Sequence, residues 1–219
     1  MPHGVIFDVD GVLVDSYQAH FQSWLDLARE SGLSLTADQF AGTFGRTSVD
    51  IIRRFWPPER LRDSLIRELD DRKEALYREL VAADFPVMDG AIGLIDELHR
   101  DGFLLAVGSS GPPANVDLAL ARLGRRGVFG AVVTGVDVKR GKPDPEVFQM
   151  AAARLGVEPH RCAVLEDAPA GIEAAHRAGM VAVGLTSTGR TAEELQEADL
   201  VIGSLRELNA ARLRDLIDR

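Results

Sequence analysis

Asp8 and Asp10 stand one residue apart where the apolar run Gly4-Val5-Ile6-Phe7 breaks off, and Gly11 follows directly. Residues 4–7 read as a buried strand, whose period of two sets Asp8 and Asp10 on the same side as the chain leaves the sheet. Gly11 permits a tight turn there. Asp and Gly are turn formers, so the triplet could be a turn and nothing more. Two like charges this close repel unless a cation or a shared proton relieves them, which makes a metal site the sharper expectation.

Three other short segments carry groups that could act with this pair: Ser109-Ser110-Gly111, Arg140-Gly141-Lys142-Pro143 and Glu166-Asp167. Each has a plainer reading. The serines could open a helix, Lys142 could be a solvated charge, and the acidic pair could sit at a helix N-terminus favoured by its dipole. Lysine is scarce in this arginine-rich chain, at Lys73, Lys139 and Lys142 alone, so each use of it stands out. Carboxylates, hydroxyls with backbone amides and one cation together suit Mg²⁺, an oxygen-seeking ion, and a phosphoryl group.

The elements that must bring these groups together follow from hydrophobic periodicity. After the strand at 4–8, residues 17–83 hold no convincing strand, and Phe21, Trp24, Leu25 and Ala28 recur at helical spacing, ended by Gly32. A longer helix follows Pro57-Pro58, with Leu65, Leu69, Leu76 and Leu80 along one stripe. Residues 84–90 read as a linker. Helices at 91–101, 113–123, 145–155 and 169–178 then alternate with strands at 103–108, 130–134, 162–166 and 181–185, and a weak strand at 199–202. The helix at 145 has Asp144 as N-cap and Pro145 at its first position. The pattern predicts an α/β fold, a doubly wound parallel sheet with an inserted helical cap. Core residues 1–15 and 85–219 flank a cap at 16–84. In such sheets ligands bind beyond the carboxyl ends of the strands, where all four chemical segments fall.

Composition narrows the function. A chain of 219 residues with 46% hydrophobic content can bury a full core, and a net charge of -9 disfavours nucleic acid as a partner, though a local basic pocket for a small anion fits. No apolar run approaches the ~20 residues of a membrane helix, and Met1-Pro2-His3-Gly4 lacks signal-peptide character, so a cytoplasmic protein free of membrane is expected. We expect it to work as a monomer. Cys162, the single cysteine, excludes an intramolecular disulfide, and its neighbours Ala163, Val164 and Leu165 predict a buried thiol without a catalytic role.

Asp8-Val9-Asp10-Gly11-Val12, Ser109, Lys142-Pro143, and Glu166-Asp167 followed by Gly171 resemble the four motifs of the haloacid dehalogenase superfamily, in its phosphatase and phosphomutase branch related to β-phosphoglucomutase. The likeness covers nearly the whole chain. It implies a Rossmann-like core, a helical cap between the first and second motifs, and a small phosphorylated metabolite as substrate. Asp8 would be the nucleophile and Asp10 the acid and base. Mg²⁺ would be held by Asp8, Asp167 and the Asp10 carbonyl oxygen, with Glu166 in or beside the shell. Lys142 would balance charge, while Ser109 and Ser110 hold phosphoryl oxygens. Dehalogenases of the superfamily lack the second aspartate, so Asp10 favours phosphoryl transfer.

In the cap, His20 and Lys73 match substrate-handling residues of β-phosphoglucomutase, and Ser16 matches a hinge threonine. Their plainer readings are a packed imidazole and a lysine stem reaching for water. Ser48 stands where the mutase has an arginine for the second phosphate, and Arg46, two residues earlier, could replace it. A phosphatase is therefore favoured over a sugar phosphomutase. A receiver-like signalling domain or a non-catalytic phosphate-binding protein ranks lower, since neither needs the leaving-group acid Asp10.

Overall fold

The computed structural model describes residues 2–41, 48–187 and 189–219. The chain divides into two compact units, Met1–Asp15 with Pro86–Arg219, and Ser16–Phe85.

The larger unit is built on six parallel strands: β1 (Gly4–Phe7), β2 (Leu104–Gly108), β3 (Phe129–Val133), β4 (Cys162–Glu166), β5 (Val181–Leu185) and β6 (Leu200–Ile202), in the order β3-β2-β1-β4-β5-β6. β1 pairs with β2 through Gly4 and Leu104 and with β4 through Gly4 and Cys162. The strand order reverses direction at β1 and β4, which opens a crevice beyond their carboxyl ends. Such strands are buried on both faces and so read as unbroken apolar runs rather than alternating ones. One core cluster sets Phe148, Ala151 and Ala152 of one helix and Ile172, Ala174 and Ala175 of another against Ile6, Ala106 and Val164 of the sheet.

The smaller unit is helical: α1 (Tyr17–Glu30), α2 (Ala37–Ala41), α3 (Ser48–Phe55) and α4 (Asp63–Ala83). It has its own core of Trp24, Leu27, Phe40, Ile52, Trp56, Ile66, Leu69 and Leu76. The remaining helices belong to the larger unit: α5 (Ala91–Arg100), α6 (Pro113–Leu123), α7 (Glu146–Leu155), α8 (Pro169–Arg177) and α9 (Ala210–Ile217). No described helix is long and apolar enough to cross a membrane.

Several boundaries differ from those read in the sequence. α7 begins at Glu146 with Pro145 at the N-cap, yet it is the Asp144 side chain, one residue further back, that accepts a hydrogen bond from the Glu146 amide at 3.1 Å. α9 was not anticipated, although Asn209 caps it by accepting from the Arg212 amide at 2.8 Å and Leu213, Leu216 and Ile217 are buried. The segment before it is too polar and too short for periodicity to stand out. Within the expected linker, Val87 makes an isolated antiparallel bridge to Val14.

Candidate active site

β1 ends at Phe7, and the Asp8 amide still donates to the Leu165 carbonyl at 3.0 Å, which fixes the Asp8 side chain at the mouth of the crevice. The chain then turns back: Leu13 and Val14 amides both donate to the Val9 carbonyl at 2.9 Å, Gly11 takes φ 76°, and its amide donates to the Val14 carbonyl. A positive φ there is what a residue without Cβ supplies. The turn is tied from across the sheet by Ser187 Oγ, which donates to the Gly11 carbonyl at 2.5 Å. Sequence reasoning missed Ser187, because a lone serine after a strand carries no motif signal.

Asp8, Glu166 and Asp167 are all buried, and one carboxylate oxygen from each lies within 4.8 Å of the others. Lys142 Nζ reaches into this trio, 2.7 Å from Asp8 Oδ1 and 2.5 Å from Glu166 Oε1. The same ammonium lies 4.8 Å from the centroid of the Phe148 ring, on α7. Burial, the largest influence, pushes the Asp8 carboxyl well above the usual carboxylate range. Lys142 works against this, while Glu166 and Asp167 push it further up. For Lys142 burial opposes the charge, but Asp8 and Glu166 outweigh it and hold the ammonium protonated well beyond the usual lysine range.

One lysine therefore faces three acids, and the shortfall of positive charge is what a divalent cation would make good. The donor set fits such an ion, being all oxygen, buried and converging. Its three members are not equivalent. Glu166 spends one oxygen on Lys142 and the other on the Asp167 and Ala168 amides, both at 2.9 Å, at the start of α8. That position also explains Gly171: a Cβ there would fall 1.9 Å from Glu166 Cδ, so the carboxylate lies in the space a side chain would fill.

Asp10 is half-buried in the turn, and Ser109 is buried at the end of β2 while Ser110 is exposed. Ser109 Oγ accepts from the Gly111 amide at 3.0 Å. A Cβ on Gly111 would stand 3.2 Å from Ser109 Oγ and 3.8 Å from Asp10 Oδ2, which brings the first and second segments together. All four segments named from the sequence thus meet at the carboxyl ends of β1, β2 and β4 and in the loop after β3.

The second group of residues lies in the helical unit and is described within it. Lys73 is buried rather than reaching for water. Its Nζ lies 2.9 Å from His20 Nδ1 and 2.7 Å from Glu74 Oε1, above the rings of Trp24 and Tyr77. His20 stacks on Tyr77, with ring centroids 4.2 Å apart. Ser16 is buried, and its carbonyl accepts from the His20 amide at 2.9 Å. Ser48 hydrogen-bonds the Asp70 carboxylate, whose pKa burial raises. Arg46 lies outside the described residues.

A hollow of about 560 Å³ lies at the amino ends of β4, β5 and β6, beside His160, His176 and Asp199. His176 Nε2 lies 3.0 Å from Asp199 Oδ2 there, and the hollow gathers none of the chemistry above.

A doubly wound sheet with a carboxylate trio and a single countering lysine at its switch point defines an α/β enzyme of phosphoryl chemistry. The chain belongs to the haloacid dehalogenase-like hydrolase family, whose model matches residues 2–179. It is 35% identical over 93% of its length to a validoxylamine A 7'-phosphate phosphatase of Streptomyces hygroscopicus subsp. limoneus, 94% of which is covered. It is 33% identical to hexitol phosphatase A of Escherichia coli (strain K12), across 95% of this chain and 94% of that one. A solved β-phosphoglucomutase from Clostridium difficile superposes with a TM-score of 0.85 at 25% identity, covering 100% of this chain and 98% of the other. The family expected from the four motifs and the fold expected from the alternation are both borne out.

Proposed function

We propose that the chain is a Mg²⁺-dependent phosphatase of small phosphorylated metabolites, sugar and polyol phosphates foremost, working through an aspartyl phosphate on Asp8. The observation that carries this is the buried Asp8 carboxylate, held 2.7 Å from Lys142 and within 4.8 Å of Glu166 and Asp167. Asp8 and Asp167, with the Asp10 carbonyl oxygen as the family resemblance implies, would hold the ion. Glu166, with both oxygens engaged, stands beside it. A bound Mg²⁺ would keep Asp8 ionised and shield it from the phosphoryl oxygens.

Asp8 attacks phosphorus as the bond to the leaving oxygen breaks, and protonated Asp10 gives that oxygen its proton. Asp10 then takes a proton from the water that attacks the phosphorus of the aspartyl phosphate, which restores Asp8 and releases inorganic phosphate. Lys142, Ser109 Oγ and the Ser110 amide steady the phosphoryl oxygens. Specificity falls to the helical unit, as a cap, through Ser16, His20, Lys73, Ser48 and Arg46. The setting this assumes is a cytoplasmic monomer.

A sugar phosphomutase is the second reading, favoured by the likeness to β-phosphoglucomutase. Against it, Ser48 faces a carboxylate, Asp70, where a second phosphate would need a cation. Phosphorus NMR with Mg²⁺, β-glucose 1-phosphate and a trace of glucose 1,6-bisphosphate separates the two. Inorganic phosphate is the expected product, and accumulating glucose 6-phosphate would instead establish the mutase.

A further inference from the structure

Among the described residues Lys142 is the cation that reaches the carboxylate trio, yet it rides on a loop between β3 and α7 rather than on a strand or helix. Something must hold that loop, because a misplacement of about 1 Å in a charge-balancing group is enough to cost catalysis. Glu146, the first residue of α7, does so in an unusual way. Its Oε2 accepts from both the Lys139 and the Arg140 amides, each at 3.1 Å. A helix-capping glutamate reaches back three residues, to the N-cap amide; this one reaches back six and seven. Two further contacts brace the loop it closes. Arg140 Nε lies 2.6 Å from Asp144 Oδ2, and the Asp144 amide donates to the Gly141 carbonyl at 3.0 Å. Lys142 sits on the crest of this closed loop, with the Phe148 ring of α7 beneath its ammonium.

Resting on the role proposed above for Lys142, we infer that Glu146 is a positioning residue for catalysis: by accepting from two consecutive loop amides it sets where the Lys142 ammonium stands between Asp8 and Glu166. What matters is an acceptor oxygen at the right reach, not negative charge at the helix N-terminus. The two roles predict opposite rankings of variants. Glu146→Gln keeps the reach and an acceptor but loses the charge, whereas Glu146→Asp keeps the charge and is one methylene short.

Turnover of a sugar phosphate should show Glu146→Gln within about threefold of the wild type and Glu146→Asp down about 10- to 100-fold in kcat, with KM little changed. Both variants should melt as two-state proteins close to the wild-type temperature. In a Lys142→Ala background, the slow residual turnover should be the same whether residue 146 is Glu or Asp, because the positioned group is gone. The reverse ranking, with Asp active and Gln impaired, would overturn the inference and leave a helix-dipole role. So would a Glu146→Asp loss that persists undiminished without Lys142. Full activity of Lys142→Ala itself would remove the phosphatase mechanism proposed here, and the role of Glu146 with it.

Discussion

At the scale of single residues, the mechanism stands or falls on Asp8. Asp8→Asn is nearly isosteric and poorly nucleophilic, so it should lower kcat by more than about 1,000-fold while circular dichroism and melting stay near wild type. Undiminished activity would take Asp8 out of the reaction. Cys162 gives a test of burial instead of chemistry. Its thiol packs against Gly4, where a Cβ would come within 2.8 Å of the sulfur, and burial pushes its pKa up to about 11 from 9.0. The folded state therefore keeps a proton that the unfolded chain loses. Stability should be full below pH 9 and fall by up to about 1.4 kcal/mol per pH unit as pH rises towards 11. Urea unfolding of wild type and Cys162→Ala across that range checks it, the variant having the shallower slope. Strand ends and residue type point at Asp8, Asp10 and Asp167 in the sequence, the scarcity of lysine points at Lys142, and the structure brings Asp8, Lys142 and Asp167 together. The division of labour within Glu166-Asp167 was not legible in the sequence. It depends on which oxygens the Lys142 ammonium and the α8 amides occupy, and spacing carries no such information.

At the scale of elements, α8 is shaped around a carboxylate. In Gly171→Ala the new methyl would meet Glu166 at 1.9 Å, so the Glu166 side chain must leave its place against Lys142 and the two amides. The expected cost is about 1–3 kcal/mol of stability from crowding, with a fall in kcat of at least about tenfold. Gly93, exposed within α5 with nothing within 4 Å of a built Cβ, is the contrast. Gly93→Ala should gain about 0.5–1 kcal/mol and leave turnover alone. Equal responses of the two variants in urea melts would contradict this account. Helices and strands of the larger unit were legible because fully apolar strands alternate with amphipathic helices. α2 and α3 were not. They are short, and the tertiary core around Trp56 and Ile52, more than local propensity, makes them helices.

At the scale of the whole molecule, the metal proposed to offset the negative charge around Asp8 would tie stability to its binding. An ion that binds the folded state alone adds RT ln(1 + [L]/Kd), about 2.7 kcal/mol at a hundred times Kd. Thermal melts should therefore shift upward with Mg²⁺ and return with chelator, at matched ionic strength because the chain carries a net charge of -9. Asp167→Asn should erase most of the shift, and an equal shift in that variant would mean the ion binds elsewhere. The strand order has a different consequence, in time rather than space. β1 carries the proposed nucleophile at its tip, yet the partners of its Gly4 in the sheet are Leu104 and Cys162, far along the chain, while the helical unit closes its own core within Ser16–Phe85. Contacts so distant in sequence form slowly. During synthesis the helical unit can fold while β1 still waits for both partners, and Asp167 leaves the ribosome only after β4. A nascent chain thus holds a finished insert and no trace of an active centre, and hydrolytic competence arrives late and all at once.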